Sequence, residues 1–331
     1  MTITTTEGIV PGTIPSRIEQ LHAEAAKRIL VLDGSAGVLL QNYGLSEDDL
    51  RGERFATHPR SLAGDFDVLS ITGPDVLRRM HRSYLDAGCD VLCTNTFQAT
   101  SITQREYGLE QPEIIYEMNL KAAQLARECA DAYTAADGRM RWVAGSVGPT
   151  NVTLSLSPRV EDPGYRASTF RELGASYREQ MLALIDGGVD LILIETIFDT
   201  LNAKAGIWAA RRLFAEIGRE VPVMISGTIT DRSGRTLSGQ TTGAFWQSMR
   251  HANPFSIGLN CSLGGAEMRP YVSELSSLAN TLTCVYPNAG LPNELGGYDE
   301  SPGQTAAVLR EFAETGFVNI VGGCCGTTPA H

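Results

Sequence analysis

A chain of 331 residues with 43% hydrophobic, 20% charged and 7% aromatic residues has the makeup of an ordinary globular protein, which argues against fibrous and disordered classes. The formal net charge of −11 argues against a surface built for nucleic acid or for an anionic membrane, since both need clustered Lys and Arg. The opening MTITTTEGIVPGTIPSR lacks a basic start followed by an apolar run, no stretch approaches about 18 uninterrupted apolar residues, and 7 cysteines are scattered along the chain; a cytoplasmic protein with thiols or metal ligands is expected, not a disulfide framework.

In chain order, residues 1–28 read as a tail leading into a short helix, RIEQLHAEAAKRI, suited to closing the bottom of a barrel. The first apolar, β-leaning run is ILVLDG (29–34). A long polar excursion, 43–74, follows it and is expected to shape the top of the fold. PDVLRRMHRSYLDAGC (74–89) has apolar residues at helical spacing and leads into DVLCTNT (90–96). WVAGSVGPT (142–150) comes next, and the helix TFRELGASYREQMLALIDGG then precedes DLILIET (190–196). The helix TLNAKAGIWAARRLFAEIG (200–218) follows. VPVMISGT (221–228), SIGLNC (256–261), TCVYPNAG (283–290) and FVNIVGGCC (317–325) complete the series. Gly88, Gly188 and Gly218 stand where helix C-terminal glycines belong. Near-continuous apolar runs are what strands covered on both faces look like, and their alternation with helices predicts an α/β fold. A single-domain (β/α)8 TIM-type barrel over 29–331 is expected, with a doubly wound open sheet as the other arrangement.

Active sites of such barrels lie at the C-terminal ends of the strands. The residues there include Asp33, Thr94, Asn95, Ser146, Glu195, Thr228, Asn260, Cys261, Asn288, Cys324 and Cys325. Adjacent residues on a regular strand face opposite ways, so Cys324 and Cys325 can serve one target only if the backbone departs from strand geometry, which the neighbouring glycines permit. Three converging thiolates suit Zn2+ with an open fourth position, but buried free cysteines have the same spacing, and spacing alone leaves both readings open. Cys89, Cys93, Cys129 and Cys284 read as core. Asp33 and Glu195 are either loop-tying carboxylates or a clamp for an ammonium group, with the backbone N–H groups of Gly34–Gly37 available to a carboxylate; together they suggest an amino-acid ligand. No G-x-G, Walker A, G-x-S-x-G or H-E-x-x-H motif is present, so neither a dinucleotide nor a hydrolase triad is supported.

GLNC at 258–261 and GGCCG at 322–326, with LDG at the first strand and ET at the fourth, resemble the zinc-dependent homocysteine S-methyltransferases. TNTFQATSI, GSVGPTN, ETIFDTLNAKA, SGTITDRSGRTLSGQT, PNAGLPNELGGYDE and NIVGGCCGTTPAH look more specifically like the amino-terminal homocysteine barrel of cobalamin-dependent methionine synthases. The resemblance implies Cys261, Cys324 and Cys325 as zinc ligands and Asp33 and Glu195 as partners of the homocysteine ammonium group. It places Gly34, Ser35 and Thr94 near the amino-acid end, and makes Asn288 the residue that fills the fourth zinc position when substrate is absent. The family pattern D-G-G-M-G-T is here DGSAGV, with Ser35, Ala36 and Val38 as departures.

The activity so implied is methyl transfer to a zinc-activated homocysteine thiolate, giving methionine. No D-x-H-x-x-G signature occurs, so methylcobalamin would be presented by another, cobalamin-binding module of the same full-length protein and not bound by this chain. The sequence stops at His331, directly after the cysteine motif, so a barrel truncated before or within its last helix, and before folate, cobalamin and activation modules, is expected. The alternatives are a stand-alone homocysteine methyltransferase using S-methylmethionine and, outside enzymes, a zinc- or amino-acid-binding module.

Overall fold

The computed structural model describes residues 16–230 and 233–331; the expected tail over 1–15 lies outside the described residues. Eight parallel strands form the sheet: β1 Leu30–Val31, β2 Val91–Cys93, β3 Trp142–Val147, β4 Leu191–Ile197, β5 Val223–Gly227, β6 Ser256–Gly264, β7 Leu282–Asn288 and β8 Ile320–Val321. All eight expected strands are present, in the order β1-β8-β7-β6-β5-β4-β3-β2. A parallel bridge between Leu32 and Val91 joins the two ends of that row, so the sheet closes on itself as a TIM-type barrel.

The all-apolar strand pattern has the expected cause. Every residue of β3 is buried, because one face of the barrel meets the interior and the other meets helices. Leu32, Val91, Ala144, Leu193, Met224 and Ile320 belong to the inner cluster, while a larger cluster lies between strands and helices. Helices follow the first seven strands, among them Pro74–Asp86, Phe170–Asp186 and Thr200–Ile217, the three expected from periodicity. Each of those three ends in a glycine with positive φ: 98° at Gly88, 95° at Gly188 and 64° at Gly218.

The bottom of the barrel is held by side chains that stand just before strands. Asp90 accepts Val31 N at 3.0 Å, Asp190 accepts Val143 N at 2.8 Å, and Asn319 accepts Thr283 N at 2.9 Å, so each side chain ties its own strand to the preceding one. Both aspartates also pair with arginines: Arg28 Nη1 lies 2.8 Å from Asp90, and Arg17 and Arg127 reach Asp190 at 2.8 and 2.6 Å. The N-terminal helix, Arg17–Ala25, plugs this end. Its Leu21 and Ala25 join the inner cluster, and Trp142 Nε1 donates to Arg17 O at 2.9 Å.

The excursion after β1 folds into short helices, Glu47–Arg51 and Leu69–Thr72, over buried Leu50, Leu62, Val68 and Leu69. Arg51 stitches it by donating to His58 O at 2.6 Å and Arg60 O at 2.8 Å. This segment delivers Gly64, Phe66 and Asp67 to the C-terminal end of the barrel.

Candidate active site

The C-terminal strand ends surround a cavity of about 340 Å3. A larger cavity, about 930 Å3, lies at the opposite end beside His22, Phe255 and Asn319, away from every candidate residue.

Cys261, Cys324 and Cys325 come together on the cavity wall, their sulfurs all within 4.8 Å of one another. Each reaches that position through an irregular backbone. Cys261 and the following Ser262 have φ of 62° and 64°, and the β6–β7 register slips between Asn260 and Gly264, so the strand turns its cysteine inward where a regular strand would not. Cys324 and Cys325 lie in a turn after β8 that ends at Gly326 with φ 81°. That turn is pinned on both sides: Cys324 N donates to Pro287 O at 2.8 Å, Ala289 N to Cys325 O at 2.9 Å, and Thr327 Oγ1 to Cys324 O at 2.6 Å. Asn288 Oδ1 accepts Cys325 N at 3.1 Å, so this residue, named above for a fourth metal position, here orients the turn.

The donor set fits a soft divalent metal. Zinc–sulfur bonds of about 2.3 Å at a tetrahedral angle put two sulfurs about 3.8 Å apart. Cys261 Sγ and Cys325 Sγ are 3.7 Å apart. Hydrogen bonds from Cys261 and then Cys324 lower the Cys325 thiol from the ordinary thiol range, while Cys324 is pushed up by the same two neighbours. Asn260, fully buried, directs its Nδ2 at Cys324 Sγ at 3.9 Å, and its Oδ1 accepts Ser226 Oγ at 2.7 Å and Thr196 N at 3.1 Å.

Asp33 and Glu195 line the same cavity. Asp33 Oδ2 accepts Cys93 N at 2.8 Å. Burial pushes its carboxyl up to about 7 against the pull of that bond, and the nearby Glu195 charge adds to the rise. Glu195 accepts Ser146 Oγ at 2.5 Å on one oxygen and Tyr286 OH at 3.2 Å on the other; burial raises its carboxyl too, with both hydroxyls pulling it back. Both carboxyls are buried and raised, and an ammonium group bound between them would favour their ionised forms. Gly34 and Ser35 sit against Thr327, whose Oγ1 accepts Ser35 N at 3.3 Å, and Tyr84 OH donates to Ser35 O at 3.0 Å. A Cβ at position 34 would stand 2.9 Å from Thr327 Oγ1, which explains glycine there. Thr94 lines the cavity, but its hydroxyl is engaged by Ser146 N at 2.9 Å and Thr96 Oγ1 at 2.6 Å.

Residues 30–331 match the family described as Homocysteine S-methyltransferase. The chain belongs to that family. Among solved structures it is similar to the homocysteine methyltransferase MmuM from Escherichia coli. The oxidized form aligns with TM-score 0.72 and 24% identity over 94% of this chain and 96% of that one. The metallated form aligns with TM-score 0.69 and 25% identity over 95% and 97%. For a homocysteine S-methyltransferase, sequence reasoning missed Tyr286, which reads as an interior strand aromatic, and Asp67, whose segment has no periodicity to place it. The left-handed backbone at Cys261 left no mark in the sequence, since no glycine stands there.

Proposed function

We propose that this barrel binds L-homocysteine at its C-terminal strand ends and that the substrate sulfur there takes a methyl group to become methionine, with Cys261, Cys324 and Cys325 holding a zinc ion beside that sulfur. The single observation that carries the reading is the convergence of three thiols in one cavity with two buried carboxylates and no Lys, Arg or His among its described lining residues. Zinc on three thiolates would supply a site that keeps the substrate thiol deprotonated near neutral pH, where a free thiol of pKa about 8.5 is mostly protonated.

The chain's own residues do the rest. Asp33 and Glu195 take the ammonium group, each ordered by its own hydrogen bonds, so the carboxylates lose little freedom on binding. Asn260 and Asn288 fix two of the three ligating cysteines, so the sulfurs need no rearrangement. Buried Tyr286 and Leu32 keep the inner wall dry.

For the donor we infer methylcobalamin presented by another module of a longer protein. The runs that look most like methionine synthase build rim loops: RTLSGQT carries the Arg235–Thr241 bridge and PNAGLPNELGGYDE the Pro292–Tyr298 bridge. These loops and the one after β3 expose Leu237 at 52%, Leu295 at 97% and Val160 at 95%, apolar area that a large donor-bearing surface would cover. A second reading is a stand-alone enzyme using S-methylmethionine; the near end-to-end match with the homocysteine methyltransferase MmuM favours its stand-alone form.

Two measurements test this. Co2+-loaded protein titrated with L-homocysteine should show a thiolate-to-metal absorption band that shifts saturably, while methionine leaves it in place; no band in folded protein would end the metal reading. Methionine formation from methylcobalamin and from S-methylmethionine, run side by side, separates the donors.

A further inference from the structure

The proposed reaction would bring four sulfurs to one zinc ion and methylate only one of them, so something must set the substrate thiolate apart from Cys261, Cys324 and Cys325. Position is one difference, since the substrate enters from the cavity. Hydrogen bonding is another. A thiolate that accepts a hydrogen bond gives it up as its charge passes into a new S–C bond, so a donor held against a ligand sulfur slows methylation there.

Each site cysteine meets such a donor. Asn260 directs Nδ2 at Cys324 Sγ, 3.9 Å away, and the orientation of its amide is fixed, because Oδ1 accepts Thr196 N, which can only donate. Ser262 offers its backbone N–H to the sulfur of Cys261, and the hydroxyl of Tyr298 reaches the sulfur of Cys325. On the substrate side, by contrast, the hydroxyls of Ser146 and Tyr286 are engaged by Glu195.

Tyr298 has no part in the function described so far. It is half-buried on the rim loop after β7 and is not among the described residues lining the cavity, which leaves the substrate's approach to the sulfurs open. Its place is well fixed. It pairs with Pro292 in an antiparallel bridge, and Glu300 N, two residues on, donates to Ala289 O at 3.2 Å. Ala289 N in turn donates to Cys325 O at 2.9 Å, so loop and cysteine turn are joined. The ring lies so close to Gly326 that a Cβ there would stand 2.8 Å from Tyr298 Cδ2.

We propose that Tyr298 is a positioning residue that directs methyl transfer to the substrate: its hydroxyl donates a hydrogen bond to Cys325 Sγ and so withholds that ligand from the methyl donor. The proposal rests on the zinc and homocysteine reading above, and it supplies a reason why the site does not destroy itself. A methylated cysteine is a neutral thioether and no longer a thiolate ligand.

The test exposes the zinc-loaded full chain, saturated with L-homocysteine, to methyl iodide and measures S-methylcysteine at positions 261, 324 and 325 by peptide mass spectrometry. Each event forms an S–C bond and breaks the C–I bond, and the electron pair leaves on iodide. Tyr298→Phe keeps the ring beside Gly326 and removes only the hydroxyl; thermal melting checks its fold. Methylation of Cys325 should rise about tenfold over wild type, as expected for one lost hydrogen bond to a charged group, with Cys261 and Cys324 unchanged. In Co2+-loaded protein the same variant should move the thiolate-to-metal band to longer wavelength, a shift that a purely structural role for the ring would not produce. No rise at Cys325, or an unmoved band, would overturn the proposal. So would an equal rise at all three cysteines, which would report a loosened site. Elemental analysis separates the two levels: wild type that takes up no zinc ends the zinc reading and this proposal with it, whereas zinc-loaded protein indifferent to Tyr298→Phe ends this proposal alone.

Discussion

Thr196, Cys261 and Ser262 all hold positive φ, 55°, 62° and 64°, although none is a glycine, and the first two lie on the cavity wall. Such conformations cost on the order of 1–3 kcal/mol each and persist only where neighbours fix them. Here Asn260 does so, bonding to both the backbone N and the hydroxyl of Thr196. Asn260→Ala should therefore lower metal affinity by about 10- to 100-fold while the ligands stay intact, as read by competition with a chromogenic chelator. Cys324→Ser, which removes a ligand outright, should bring bound metal from one equivalent to near zero by elemental analysis. Glu195→Gln should weaken homocysteine by about 10- to 100-fold in calorimetry, because a hydrogen bond to a charged partner contributes about 1.5–3 kcal/mol. A residue far from the site gives a pH prediction. His81 is fully buried with neither ring nitrogen partnered, and burial drives it down to about 4 from 6.5. Below pH 6.5 the unfolded chain takes a proton that the folded chain refuses until about pH 4, so stability falls as pH drops through that window, by up to about 1.4 kcal/mol per pH unit. His81→Met should flatten the decline in urea melts at pH 4.5 against pH 7.

At the scale of elements, the aspartates before β2 and β4 join strand, neighbouring strand and arginine in one contact. Asp190→Ala would leave Val143 N without its acceptor and take one of several acceptors from Arg17 and Arg127, which keep Asp131 and Arg141 O, and a loss of about 1–3 kcal/mol in urea denaturation is expected. Strand and helix placement was legible because apolar runs and 3.6-residue spacing report burial directly, as in β3 and Thr200–Ile217. The adjacent cysteines were legible for a related reason: two thiols between glycines fit neither a regular strand nor an ordinary core. The segment 43–74 was not. Its helices are short, its polar residues are spent on local bonds such as Ser46 with Asp49, and nothing in its pattern shows that Asp67 faces inward. Cys261 was identified by its place at a strand end, but the inward turn of its backbone goes with the register slip against β7 and with the bonds of the preceding Asn260 to Thr196 and Ser226, which no local pattern encodes.

On the whole-molecule scale, the cavity sits on the seam where the barrel closes. Gly323 N donates to Asp33 O at 3.2 Å and Leu32 N to Val321 O at 2.7 Å, so the first and last strands meet at the cysteine turn. A ligated metal would join Cys261 to Cys325 across 64 positions and tie β6 to that closing strand. Metal removal should accordingly lower the melting temperature of the whole barrel, and not merely loosen the rim, when followed by calorimetry with and without chelator. The same geometry bears on how the protein is made. As the chain leaves the ribosome, β6 emerges with Cys261 alone of the three site cysteines, and the set converges only once β8 has docked against β1. The complete binding site and the finished barrel therefore arrive in one event.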